Sequence, residues 1–306
     1  MRLAAIDIGS NAARLLITEV SEDENNKASF TKLTLVRVPL RLGFDVFDNG
    51  KISERRINLL LHTMEGFLSI TKAFEVKAMK ACATSAMRDA SNSHEIIALV
   101  KAKTGIEIEV ISGSDEASLV FENHIAENLD KDHSYLYIDV GGGSTELTFF
   151  SNNELIFKDS FNIGTIRLLK NQVSEELWNE MKYDIKTKTK GFKTVTAIGS
   201  GGNINKIFSI SKRKEGKPLS LDLLRDYYKE LNSVSLADRI KIYKLKEDRA
   251  DVIVPALKIY LSAMRWAGAS EIYVPNIGLA DGLVQHLWSE EKKGKMGDEI
   301  KVISEK

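Results

Sequence analysis

The sequence predicts an α/β protein of two similar lobes with a cleft between them. Strand-like apolar runs alternate with helix-period segments, a Gly-turn hairpin that opens the chain recurs from Tyr135, and 306 residues exceed what one ordinary domain needs. The repeat period is far too long for a solenoid, so the self-similarity reads as lobe duplication.

Leu3 to Val20 reads as a hairpin, because LAAI and LLIT flank the turn DIGSN. A polar loop at Asp23 to Lys27 leads to a third strand near Leu33 to Val38. From Ser53, a candidate cap, to Ala73 apolar residues recur at helical spacing. Strand Val76 to Ala83, helix Ser93 to Lys103, strand Ile106 to Ile111 and helix Asp115 to Leu129 follow, the rhythm of a mixed sheet covered by helices. At Tyr135 the plan restarts: YLYIDVGGGSTELTFF repeats LAAIDIGSNAARLLI, with Asp139 matching Asp7, Gly141 matching Gly9 and Leu147 matching Leu15. Helices are expected near Ser174 to Lys190, Asn203 to Ser211, Asp222 to Leu231 and Asp248 to Ala267, then a strand Glu271 to Val274 and a helix Leu279 to Trp288. The charged tail after Ser289 is expected to be mobile.

Apolar residues at 43%, charged residues at 28% and four prolines supply a packed core and exclude wholesale disorder. Lys plus Arg equals Asp plus Glu at 43 each, which argues against a surface devoted to nucleic acid or acidic membrane; any anion site is local. The single Cys82 forms no intrachain disulfide, no run approaches a membrane span of roughly 18 apolar residues, and the chain enters Leu3-Ala4-Ala5-Ile6 without a leader. A soluble cytoplasmic protein is expected.

Each Gly-rich turn follows an aspartate at the end of an apolar strand, and glycine lets backbone N–H groups approach an anion closely. Gly9, Ser10 and Asn11 in one turn, and Gly141, Gly142, Gly143, Ser144 and Thr145 in the other, are therefore candidate phosphate ligands facing a shared cleft; DIGSN alone is equally an ordinary hairpin turn. Asp139 and Glu146 stand on opposite arms of a tight hairpin, where hard carboxylate oxygens suit Mg²⁺, unless they are a solvated surface pair. A third element, AIGSGGNINKI, runs from strand to helix and offers Gly199, Ser200, Gly201 and Gly202 as another anion cradle, or as a loop whose glycines serve packing. Lys206, Lys212, Arg213, Lys214 and Lys217 form a local cationic cluster beside it, the usual reading of which is a solvated loop.

IDIGSNAARLL, ATSAMRDASN, VISGSDEA, IDVGGGSTEL, GSGGN and DRADVIVPAL together resemble the ordered signature segments of the exopolyphosphatase and guanosine pentaphosphatase (Ppx/GppA) family, over about Ile6 to Leu283. The resemblance implies two ribonuclease-H-like lobes of the actin-like ATPase and sugar-kinase superfamily with an interlobe cleft, residues 1–128 and 129–306, the C-terminal helix near 279–290 packing back on the first. It makes Glu116 the catalytic base and Arg88, supported by Thr84 and Ser85, a phosphate contact. Arg249 matches a family arginine near the substrate path, though an ordinary helix ion pair would also explain it. Asp7 joins Asp139 and Glu146 as the set for Mg²⁺. The implied activity is Mg²⁺-dependent hydrolysis of terminal phosphate from inorganic polyphosphate, with short chains favoured. The alternatives are removal of the 5′-terminal phosphate of guanosine pentaphosphate, a small-molecule kinase, and a non-catalytic alarmone-binding regulator; a homodimer is admitted, nucleic acid and membrane partners are not expected. Ala12, Asp115, Ser118 and Ala280 depart from the family pattern, and the chain resembles the short form without a C-terminal HD-type extension.

Overall fold

A computed structural model describes residues 1–121, 133–152, 154–192, 194–275 and 277–304. The first half contains β1 (Arg2–Ile8), β2 (Ala12–Glu22), β3 (Ala28–Pro39), α1 (Leu42–Asn49), α2 (Glu54–Ala73), β4 (Ala78–Ala83), α3 (Ser85–Asp89), α4 (Ser93–Thr104), β5 (Ile108–Val110) and α5 (Gly113–Phe121). The second contains β6 (Ser134–Val140), β7 (Thr145–Ser151), β8 (Glu154–Phe161), α6 (Thr165–Leu169), α7 (Glu175–Lys188), β9 (Val195–Ser200), α8 (Gly202–Ser211), β10 (Leu219–Ser220), α9 (Leu221–Ser233), α10 (Leu236–Tyr243), α11 (Glu247–Ala250), α12 (Ile253–Ala267), β11 (Glu271–Tyr273) and α13 (Leu279–Ser304).

The sheets are orders β3-β2-β1-β4-β5 and β8-β7-β6-β9-β11-β10. In each, three antiparallel strands are followed by two parallel ones, β1 pairing parallel to β4 and β6 parallel to β9, and the second sheet ends on the short antiparallel β10. The duplication read from the two hairpins thus extends to whole sheets with ribonuclease-H-like order. β1 is buried on both faces, as a central strand must be. Ala4, Ile6 and Ile8 enter the main core of the first sheet with α2 and α4, while Leu3 and Ala5 face Leu279, Leu283, Val284 and Leu287 of α13. The second core gathers β6, β7 and β9 around α12, whose Tyr260 is fully buried.

Several elements differ from expectation. The helix expected over 248–267 is broken into α11 and α12 at Asp251 and Val252, and Pro255 sits in the first turn of α12, where its missing N–H costs nothing. The short helices α1, α3, α6 and α10 were not anticipated, because five to eight residues are too few for a helical period to show, and neither was β8, whose residues, exposed or half-buried as far as Phe161, lack a regular buried and exposed alternation. The tail is helical: α13 continues to Ser304, its Glu- and Lys-rich segment being a good helix former, and Lys292 reaches Glu22 on β2. The far end of the helix expected over 115–129, and the lobe boundary at 128/129, lie outside the described residues.

α13 crosses α5 so closely that a Cβ on Gly282 would lie 2.0 Å from the Leu119 carbonyl oxygen. Gly282→Ala is expected to lose about 1–3 kcal/mol through overpacking against backbone. Urea denaturation measures this; an unchanged midpoint would mean that the helices can part without cost.

Candidate active site

The cleft is a cavity of ≈ 350 Å³ bounded by the turns after β1 and β6, the start of α8, Glu116 and the first residues of α13. The two glycine turns touch across it. A Cβ on Gly142 would stand 2.8 Å from Ser10 Cβ, and one on Gly143 would stand 2.5 Å from Ser85 Oγ. Ser10 and Ser85 share a hydrogen bond of 2.8 Å beneath them. Glycine is required here for the approach of one turn to another as well as for any anion.

Strand register places the charges. Asp7 on β1 stands opposite Arg14 on β2, and Arg14 opposite Arg37 on β3, so three charged residues share one row and one face. In the second sheet the same register sets Asp139 opposite Glu146, and Glu146 opposite Ser160. The two hairpins therefore carry an Asp–Arg pair in one lobe and an Asp–Glu pair in the other. Arg14 Nη1 meets Asp7 Oδ2 at 2.5 Å. Burial alone would lower the Arg14 guanidinium, but Asp7, with Asp139 and Glu116 beyond, holds it above its ordinary value.

Glu116 is positioned by the start of α5. Ser112 Oγ accepts from the Asp115 N–H at 3.1 Å and donates to Asp115 Oδ2 at 2.6 Å, a cap that starts the helix two residues before the expected Asp115. Asp115 thus takes the capping role and Glu116 turns inward, its Oε2 buried without a hydrogen-bond partner. Burial, then the charges of Glu146, Asp139 and Asp7, push Glu116 well above the usual carboxylate range, opposed by Arg88. Burial likewise raises Asp139 to about 6 and Glu146, with Asp139 beside it, to about 7. Ser144 Oγ at 2.6 Å and Ser160 Oγ at 3.0 Å both donate to Glu146 Oε1.

Of the residues expected at the site, Asp7, Gly9, Ser10, Asn11, Thr84, Ser85, Glu116, Asp139, Gly141, Gly142, Ser144, Gly201, Gly202 and Arg249 line the cavity. Gly143, Thr145, Glu146, Gly199, Ser200 and Arg88 stand behind it. Thr145 donates to the Ile163 carbonyl at 2.5 Å, Gly199 packs under Ile272, and the Ser200 carbonyl accepts from Tyr260. Arg88 Nη1 donates to the Ile111 carbonyl at 2.9 Å, so its planar fork supports the strand leading to Glu116. Asp7, Asp139 and Glu146 do not make a ready metal shell: among the described residues no group of three His, Cys, Asp or Glu is so arranged, and Asp7 is engaged by Arg14.

Arg14, Arg37 and Lys32 in the cavity wall were missed. Arg14 lies seven residues after Asp7, the spacing that drew attention to Asp139 and Glu146, so the signal was present in the duplication. Arg37 and Lys32 become visible only once β3 is paired in register. A Cβ on Gly202 would stand 3.1 Å from both terminal nitrogens of Arg249 and 3.3 Å from Arg14 Nη2, so the arginines converge where the side chain is missing. Burial, with Arg37 and Arg14 alongside, lowers Arg249 to about 10.

The family model for the Ppx/GppA phosphatase family matches residues 20–291. The chain belongs to that family. Exopolyphosphatase 1 of Mycobacterium tuberculosis is 25% identical over 96% of this chain and 90% of its own length. The guanosine-5′-triphosphate,3′-diphosphate pyrophosphatase of Aeromonas hydrophila is 20% identical over 93% of this chain and 59% of its own. The crystal structure of an exopolyphosphatase from Cytophaga hutchinsonii superposes with a TM-score of 0.81 at 25% identity, covering 95% of this chain and 98% of that one. The fold is therefore shared with that structure over nearly the full length of both chains. No helix among the described residues is long and apolar enough to cross a membrane.

The raised carboxylates have a thermodynamic consequence. Folded-state values of about 6 for Asp139 and about 7 for Glu146 lie above their ordinary 3.8 and 4.5, so the folded protein retains protons that the unfolded chain releases. Their contribution to stability is full below the ordinary values and is lost as pH rises through the folded ones. In chelator, thermal denaturation from about pH 5 to about pH 8 should show Glu146→Gln gaining stability over the parent as pH rises. A constant difference across the range would contradict the assigned environment.

Proposed function

We propose that this chain is an exopolyphosphatase that hydrolyses the terminal phosphate of inorganic polyphosphate with Mg²⁺, short chains being preferred. The observation that carries the reading is the division of the cleft: arginines 14, 37 and 249 gather on one side, and Glu116 with an orphaned oxygen stands among buried carboxylates on the other. Planar guanidinium groups match phosphate oxygens, and a carboxylate beyond them suits alignment of a water for in-line attack. The Gly9 and Gly141 N–H groups close their own turns on the Ala12 and Ser144 carbonyls at 3.1 and 2.9 Å, and the N–H groups that follow them support the same assignment for Ser10, Asn11 and Gly142 to Ser144.

The donor set fits a hydrated Mg²⁺. Hard buried carboxylates repel one another in the free protein and are too few in any one place to close a shell, so water and substrate oxygens would complete it. Asp139 and Glu146 would hold the ion, with Asp7, engaged by Arg14, reaching it at most through water; when bound it would neutralise charge on the phosphoryl oxygens. Glu116 accepts the proton of the attacking water at its unpartnered Oε2, and burial raises its affinity for that proton. Arg14, Arg37 and Arg249 hold the phosphates that remain. A cavity of ≈ 350 Å³ accommodates the end of a chain rather than a long segment, and balanced charge favours a small anion over nucleic acid or membrane. The buried Cys82 suits a reducing cytoplasm.

Glu116→Gln is expected to lower kcat by about 100-fold or more while leaving KM nearly unchanged and the fold intact. Phosphate release from tripolyphosphate, longer polyphosphates and guanosine pentaphosphate, with and without Mg²⁺, decides the substrate. Faster turnover of guanosine pentaphosphate would favour the second reading, in keeping with the name of the Aeromonas relative. Wild-type turnover by the Gln variant on every substrate would remove Glu116 from the mechanism, and full activity in chelator would remove the metal.

A further inference from the structure

Arg249 lies between two aspartates in the sequence Asp248-Arg249-Ala250-Asp251, and each aspartate is paired with an arginine of the other lobe. Arg37 Nη2 meets Asp248 Oδ2 at 2.6 Å, and Arg41 Nη2 meets Asp251 Oδ2 at 2.5 Å. Backbone and packing reinforce the pairs. Asn11 Nδ2 donates to the Asp248 carbonyl at 2.9 Å, and the next residue along, Val252, is buried in the hydrophobic core of the first sheet. From the second lobe, Arg239 Nη1 donates to the Ala250 carbonyl at 3.1 Å.

Arg41 is itself held ready for this contact. Its N–H donates to the Asn11 carbonyl at 2.9 Å, its guanidinium lies 3.8 Å over the Phe44 ring, and its φ of 55° places it in the left-handed region before α1. A non-glycine residue there costs free energy that the surrounding contacts must offset. Arg249, by contrast, joins no ion pair among the described residues and faces the like charges of Arg14 and Arg37, which repel it from the cleft. Something must hold it in place.

We infer that Asp248 and Asp251 form a clip that docks residues 246–251 on the first lobe and holds Arg249 in the cleft against that repulsion, with Arg41 and Arg37 as positioning residues. Because both pairs cross between lobes, the clip forms only with the cleft closed. Delivery of Arg249 is thereby coupled to closure. The inference rests on the reading of Arg249 as a contact to anionic substrate, and Arg41 and Asp251 test it best because neither lines the cavity.

The experiment compares KM and kcat for tripolyphosphate in Arg249→Gln, Asp251→Asn, Arg41→Asp and the exchange Arg41→Asp with Asp251→Arg. Aspartate tolerates the left-handed conformation at position 41, and thermal denaturation checks that each variant folds. Arg249→Gln is expected to raise KM at least about 10-fold, Asp251→Asn and Arg41→Asp to raise it about 5- to 10-fold with kcat within about threefold, and the exchange to return KM to within about threefold of the parent. If Arg249→Gln raises KM while folded Asp251→Asn keeps the parent value, the clip is wrong. A raised KM that the folded exchange does not relieve overturns it as well, since the effect would not come from the pair. If Arg249→Gln itself leaves KM unchanged, the assignment of Arg249 to the substrate fails first, and the clip has nothing to deliver.

Discussion

The closeness of the two glycine turns is the constraint on which the site depends. Gly142 lies against Ser10 and Gly143 against Ser85, with no space for a Cβ at either contact. Ile166 of α6, from the second half of the chain, fills the core of the first sheet just beneath and approaches both Gly43 and Gly142. Because the turns can approach this far, the ends of β1 and β6 face a common cavity. Charges that would otherwise sit on separate surfaces are brought into each other's field.

That approach is electrostatically expensive, and the structure distributes the cost asymmetrically. Both hairpins place an aspartate at the end of the first arm, but the residue across from it is Arg14 in one lobe and Glu146 in the other. The first lobe therefore neutralises its aspartate internally. The second keeps two acids side by side, with serines 144 and 160 donating to Glu146, and leaves an excess of negative charge that favours a cation. Arg249, with Arg14 and Arg37 alongside and no ion pair of its own among the described residues, adds positive charge that favours an anion. A site with charge of both signs around one cavity is preorganised for a metal and a phosphate chain together.

Most departures from the family pattern find local explanations. Asp115 caps α5 through Ser112, a task that a carboxylate at the third helical position performs well. Ser118 accepts a hydrogen bond of 2.5 Å from Lys158 on β8, so a cation reaches that place from the neighbouring strand. Ala280 is buried where α13 packs on the first sheet, whereas the alanine at position 12, whose backbone carbonyl accepts from the Gly9 N–H at 3.1 Å, has no structural explanation.

The sequence by itself determined the duplicated hairpins, the alternation of strands and helices, and the candidate residues that follow each central strand. Those features are local: a strand's apolar run, a turn's glycines and a seven-residue spacing between Asp139 and Glu146 need no partner to be read. Tertiary structure alone decided which of the candidates share a cavity. Arg88 and Thr145 donate to backbone carbonyls at positions 111 and 163, partners too distant in sequence to infer. Arg37 enters the cleft only through the register of β3 on β2, and Arg41 meets Asp251 across 210 residues. Local propensity is legible because it arises from neighbouring residues; a cleft is made by residues that the chain brings together only after both lobes have folded and closed on each other.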